Sequence, residues 1–118
     1  MFSLKIEAVF SAAHNLRGYK GNCEELHGHN WKVELVVTCA TVDEMGMVMD
    51  FRELRNKLDN VLQEIDHKYL NNIAYFKEIN PTSENIAKYL FDVLKPEIGY
   101  LKSITVWESA TSSAIYEG

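Results

Sequence analysis

Two runs of strict alternation dominate the first third of the chain. Phe2, Leu4, Ile6, Ala8, Phe10, Ala12 and His14 occupy every second position, as do His27, His29, Trp31, Val33, Leu35, Val37 and Cys39. Residues two apart in an extended strand share one face, so each run predicts a strand with one side turned to a core. Paired as an antiparallel hairpin, the two strands bring the end of the first beside the start of the second. His14 then lies near His27 and His29, at the mouth of the joining loop. The pair at i and i+2 points to one side, and the third imidazole completes a facial set. Catalytic zinc sites often use three protein ligands and keep a fourth position for water or substrate. His14, His27 and His29 are therefore candidate zinc ligands, although iron or nickel also accepts such a set.

The remaining elements follow from periodicity and breakers. The first strand is expected over about Phe2 to Ala13 and the second over about His29 to Ala40, joined by a loop with Gly18, Gly21 and Asn22. Met45 to Met49 reads as a short extended piece leading to Asp50. There a helix begins, with Asp50 as N-cap and Glu53 as reciprocal partner. Its buried stripe is Phe51, Leu54, Leu58, Val61, Leu62 and Ile65. Asp66 to Asn72 forms a connection. A second helix starts at Pro81-Thr82-Ser83-Glu84, capped by Thr82 or Ser83, turns Ile86, Leu90, Phe91 and Leu94 inward, and stops at Pro96. A strand over Leu101 to Ser109, a turn at Thr111-Ser112 and a short strand at Ala114-Ile115-Tyr116 complete the order ββααββ. This predicts an α+β sandwich, a four-stranded antiparallel sheet with two helices on one face. At 118 residues the simplest organisation is one domain, 1–118.

Composition excludes several classes. The formal net charge is −5, with no basic run, so neither nucleic acid nor an anionic membrane surface is an expected partner. No apolar stretch reaches the ~20 residues that span a bilayer, and the N-terminus lacks a signal-peptide pattern. A cytoplasmic protein is expected. Its two cysteines are too few for a disulfide scaffold. Cys39 continues the apolar alternation and reads as a small buried hydrophobe. Cys23 stands in a polar loop, four residues before His27.

Three further groups are candidates for chemistry. Asp66-His67 reads either as a helix-terminal pair or, with Cys23, as a relay in which a histidine oriented by a carboxylate generates a thiolate. Glu108 continues the register of Ile104 and Val106, so a carboxylate stands where an apolar residue is expected. It either reaches solvent at an edge or receives a ligand with two adjacent N–H donors, such as the edge of a pterin. Thr82, Ser83 and Glu84 are either caps alone or part of a binding site.

These residues resemble the 6-pyruvoyl-tetrahydropterin synthase superfamily nearly end to end. The similar blocks are Phe10-Ser11-Ala12-Ala13-His14, the segment from Cys23 to His29, Met47-Val48-Met49-Asp50-Phe51, and Leu58-Asp59 followed by Asp66-His67-Lys68-Tyr69-Leu70-Asn71. Pro81-Thr82-Ser83-Glu84-Asn85 and Val106-Trp107-Glu108-Ser109 complete the series. The resemblance implies a tunnelling fold (T-fold) with zinc on His14, His27 and His29. It also implies a catalytic relay of Cys23, His67 and Asp66, Glu108 as pterin anchor, and Thr82 and Ser83 near the pterin ring. Three residues separate Cys23 from His27-Gly28-His29, which is similar to the 6-carboxytetrahydropterin synthases of the queuosine pathway; the biopterin enzymes usually have a longer gap. Asn22 departs from the basic residue that often precedes the cysteine. Arg17, Lys20 and Lys68 are the candidates for phosphate contact.

The resemblance implies a zinc-dependent lyase reaction on 7,8-dihydroneopterin triphosphate, giving 6-carboxy-5,6,7,8-tetrahydropterin, acetaldehyde and triphosphate. The alternatives are the sister elimination giving 6-pyruvoyl-tetrahydropterin, and a zinc- and pterin-binding protein without turnover. The face opposite the apolar stripe carries Lys5, Glu7, Val9, Ser11, Lys32, Glu34, Val36 and Thr38, which suits a wet channel. Edge-to-edge closure of three subunits and stacking of two trimers predict a homohexamer. The resemblance implies active sites between its subunits.

Overall fold

A computed structural model describes residues 1–18 and 25–118. Strands β1 (Phe2–His14) and β2 (His27–Cys39) are each 13 residues long. They pair antiparallel without interruption from Phe2 opposite Cys39 to His14 opposite His27. The alternation decides which face is buried. Ile6, Phe10 and Ala12 on β1 and Trp31, Val33, Leu35 and Val37 on β2 enter the core, while Val9 between them is 65% exposed.

Helix α1 (Phe51–Leu62) and helix α2 (Ser83–Leu94) cover that face. Asp50 caps α1 by accepting the Arg52 N–H at 2.8 Å. The reciprocal bond expected from Glu53 is absent among the described residues. Leu54, Leu58, Val61 and Leu62 point inward as the spacing predicts. Phe51 departs from that stripe, being 55% exposed at the first helical position and outside the core cluster. Met45 to Met49 is also not extended: Gly46 has φ +83, and the Asp43 carboxylate accepts the Met45 and Met47 N–H groups, which closes a turn. Thr82 caps α2, its hydroxyl accepting the Asn85 N–H at 3.1 Å; such a cap contributes about 1 kcal/mol. Pro96 follows directly on the C-cap Lys95 and, lacking an N–H, cannot extend the ladder. No described helix is long and apolar enough to cross a membrane.

The sheet has five strands, in the order β3-β1-β2-β4-β5, with β4 (Leu101–Ser109) and β5 (Ser112–Glu117) antiparallel to their neighbours. The expectation of four was short by β3 (Lys68–Tyr69), which runs parallel to β1 at Ala12 and Ala13. Two residues carry no readable alternation, so this strand looked like part of a connection. Its consequence is positional, because it lays residues 66–72 along the histidine-bearing end of β1.

Burial separates two apolar residues of α1 cleanly. Leu58→Ala should destabilise by about 2–5 kcal/mol, since Leu58 is fully buried and leaves a cavity. Phe51→Ala should cost less than about 1 kcal/mol. Urea unfolding measures both, and similar losses would show that Phe51 is packed in the folded protein.

Candidate metal centre and adjoining clefts

Because His14 lies opposite His27 in the β1–β2 register, and His29 is two residues further on the same face, the three imidazoles converge. Their ring centroids are 4.6, 4.8 and 5.2 Å apart. Trp31 forms the floor, its ring 5.0 Å from His14 and 5.1 Å from His29, and its indole N–H donates to the Ala12 carbonyl at 3.2 Å. Glu108 enters from β4. The β4–β5 register shifts between Trp107 and Ser109, so Glu108 is the extra residue of a bulge, a device that re-aims side chains. Ligand-capable atoms of His14, His27, His29 and Glu108 all lie within 4.8 Å of one another.

The protonation of the cluster follows from its outer contacts. His14 Nδ1 lies 2.8 Å from the Pro81 carbonyl, and His27 Nδ1 lies 2.7 Å from the Glu25 carbonyl. Carbonyl oxygens only accept, so both Nδ1 atoms are donors. When the rings are neutral, both Nε2 atoms then carry lone pairs, and these face each other at 3.0 Å. His29 Nε2 is buried and has no hydrogen-bond partner among the described residues; Glu108 Oε1 stands 3.6 Å away. Lone pairs aimed at one another beside an orphaned buried nitrogen are what a cation would relieve. The residues present fit a metal ion held by imidazole nitrogens. Desolvation by burial holds His14 below the ordinary imidazole range, against its bond to Pro81. Burial likewise lowers His29, against the attraction of the Glu108 carboxylate. Neutral imidazole is the form that binds metal.

The other candidate residues fall on two sides of this cluster. Ser83 donates to Glu108 Oε2 at 3.3 Å, and both line a cleft of about 520 Å³ with Glu84 and Ser112 to Ile115. Thr82 uses its hydroxyl as the α2 cap. On the other side, His29, His67 and Lys68 share a cleft of about 510 Å³ with Ser11, Asn30 and Tyr69. Asp66 Oδ1 is 3.0 Å from His67 Nδ1 and accepts the Ser11 N–H at 2.9 Å. That backbone bond is the largest cause holding the Asp66 carboxyl below its usual range, with His67 adding to it. His67 has φ +60, a conformation costing about 1–3 kcal/mol that is concentrated at functional sites.

Cys23 lies outside the described residues, as does Lys20. Arg17 is occupied: its guanidinium donates to the Phe76 carbonyl and its backbone is paired with Asn80. Cys39 is half-buried rather than enclosed, because it ends β2 where the sheet leaves the core. Sequence reasoning missed Asn71 and Asn80. Asparagines beside turns read as turn residues, and only their partners reveal another use.

Residues 3–118 match the family model described as 6-pyruvoyl tetrahydropterin synthase. A 6-carboxy-5,6,7,8-tetrahydropterin synthase of Synechocystis sp. is 39% identical over 123 residues, covering 98% of this chain and 93% of that protein. A dihydroneopterin monophosphate aldolase of Pyrococcus furiosus is 38% identical over 104 residues, covering 86% and 84%. Among solved structures, the 6-pyruvoyl tetrahydropterin synthase of Caenorhabditis elegans superposes with a TM-score of 0.92 at 30% identity. That superposition covers 99% of this chain and 95% of the other.

The lowered values of His14 and His29 set a direction for stability. Unfolded, these imidazoles titrate near 6.5, and folded they titrate lower. Between the two values the unfolded chain binds more protons. The metal-free protein should therefore keep full stability above about pH 6.5 and lose it as the pH falls through that value. This window lies above that of Asp66, whose ordinary value is 3.8. Urea unfolding at about pH 7.5 and about pH 5.5 measures the loss, and equal stabilities would contradict neutral burial.

Proposed function

The chain belongs to the 6-pyruvoyl tetrahydropterin synthase family, and from that premise we propose a zinc-dependent lyase acting on 7,8-dihydroneopterin triphosphate. Its products are 6-carboxy-5,6,7,8-tetrahydropterin, acetaldehyde and triphosphate, the chemistry of the queuosine pathway. The observation that carries this reading is the convergence of His14, His27 and His29 with Glu108 beside them. The similarity to the Synechocystis protein over almost the whole chain favours the carboxy product over the sister reactions.

The roles follow from position. His14, His27 and His29 would hold the zinc, whose chemistry is to polarise side-chain oxygens and stabilise their negative charge. Glu108 anchors the pterin by accepting from two adjacent N–H groups, and Ser83 steadies its second oxygen. Ser83 and Thr82 lie at the start of α2, beside the ring's expected place. Asp66, pinned by the Ser11 N–H, orients His67 in the cleft that also contains His29. His67 so oriented sets the charge of the Cys23 thiol, which moves protons between side chain and ring. Lys68, exposed in the same cleft, is the described cation best placed for the phosphates.

We further propose cytoplasmic homohexamers, dimers of trimers with active sites between subunits. Among the described residues, β3 covers β1 only at Ala12 and Ala13, so the edge from Phe2 to Phe10 has no strand partner. β5 is the opposite edge. Exposed edges of this length favour pairing with another chain.

Two experiments test these readings. Incubated with zinc and dihydroneopterin triphosphate, the protein should release acetaldehyde and the carboxypterin, identified by mass. Cys23→Ala should keep zinc but lose most turnover, while Cys39→Ala keeps turnover. A 6-pyruvoyl product would move the chain to the sister reaction, and absent turnover with zinc bound would make it a binding protein. For assembly, light scattering should report six chains. A fully active monomer would exclude shared active sites.

A further inference from the structure

The ladder on the outer edge of β1 does not end with β3. Before β3, Ser11 is held at both backbone groups: its N–H donates to Asp66 Oδ1, and its carbonyl accepts the His67 N–H. Beyond β3, Asn71 continues the pairing with its side chain. Its Oδ1 accepts the Asn15 N–H at 3.0 Å, and its Nδ2 donates to the Asn15 carbonyl at 2.8 Å. Asn80 repeats the arrangement on Arg17, with both bonds at 2.9 Å. A primary amide presents one acceptor and donors side by side, so it can replace the N–H and C=O of a strand neighbour. Asn71 is 7% exposed, and Tyr69 adds a hydroxyl bond to the Asn15 side chain. The Asn80 carbonyl also accepts from the Thr82 N–H and from Asn85 Nδ2. That fixes the residue before Pro81, whose carbonyl holds His14 Nδ1.

We propose that Asn71 is a positioning residue for His14, acting through the backbone of Asn15, and that Asn80 is its second rung. His14 is the last residue of β1. Its backbone direction is set by β2 on one side and by Asn71 one residue later on the other. Its ring direction is set by the Pro81 carbonyl that Asn80 holds in place. Without Asn71, Asn15 loses both partners, and His14 can swing away from His27 while the core beneath it stays packed. The inference rests on the reading of the histidines as metal ligands.

The test separates positioning from stability. Zinc affinity is measured by chelator competition, and the visible spectrum of the cobalt-substituted protein reports ligand geometry. Both are recorded at a temperature where circular dichroism shows each variant folded. Asn71→Ala should weaken zinc about 10–100-fold, the usual effect of removing support behind a ligand, and should shift the cobalt bands. Leu58→Ala, destabilised in α1 away from the cluster, should keep the parent affinity and spectrum. Should Asn71→Ala not fold, Asn71→Asp carries the test. It keeps the acceptor for the Asn15 N–H but sets a carboxylate against the Asn15 carbonyl, so it too should weaken zinc and shift the cobalt bands. Parent affinity and spectrum in the folded Asn71 variant would overturn the inference. A parent protein that binds no zinc would instead overturn the metal reading and take this inference with it.

Discussion

A slip of one residue between β1 and β2 would put Ile6 and Phe10 on the opposite face from Trp31 and Leu35 and part His14 from His27. The core and the histidine cluster are thus fixed by one set of backbone bonds. Trp31 joins the two: its ring is fully buried and stacks on Phe10, while its edge meets His14 and His29. The floor of the candidate site is therefore the end of the hydrophobic core. Close-packed interiors deform little, so the imidazoles rest on a surface that cannot relax to spread them apart.

Wherever a side chain's role follows from its period, the sequence was legible. The two long strands, the inward faces of α1 and α2, and the meeting of three histidines all come from spacings of two or of three and four. Glu108 was legible as an anomaly, a carboxylate in an apolar register, and the bulge that turns it is the structural answer. What stayed hidden depends on partners far along the chain. β3 exists only because residues 68 and 69 meet Ala12 and Ala13. The asparagine clamps join positions 56 and 63 residues apart, and no local pattern marks them. Phe51 and the Met45–Met49 turn show the opposite failure: at Phe51 a helical period runs past the buried stripe, and at Met45–Met49 the Asp43 carboxylate closes a turn where an extended piece is expected.

Local rules break around the candidate site. His67 takes a left-handed conformation, Glu108 interrupts a ladder, and two imidazole lone pairs face each other. Each costs free energy and needs support from its surroundings. Ser11 holds His67 through its carbonyl and Asp66 through its N–H. Ser83, the first residue of α2, holds Glu108, and the Pro81 and Glu25 carbonyls hold His14 and His27. His67 itself, Asn71, Asn80 and the Pro81 carbonyl that holds His14 all lie in one stretch, residues 66–81. The proposed relay histidine and the proposed support of His14 therefore share a frame, and a shift of that stretch would disturb both.

Glu108 faces two demands, because it lies near the proposed metal site and also serves as the proposed anchor of the pterin. Its two oxygens already differ. Oε2 accepts from Ser83, and Oε1 looks toward His29 at 3.6 Å, beyond hydrogen-bond distance. A carboxylate oxygen has two lone pairs, so Oε2 can keep the Ser83 bond and still accept a ligand N–H. Oε1 is free to take the adjacent one. The Ser83 bond need not compete with an anchored pterin, since it restrains rotation of the carboxylate and holds its plane for a bidentate partner. Were Glu108 also to ligate a metal, Oε1, which already faces His29, would be taken up by the ion and lost to the ligand's second N–H. With His14, His27 and His29 supplying three nitrogens to the proposed metal, Glu108 would be left to the proposed anchor role and a fourth metal position to substrate or water.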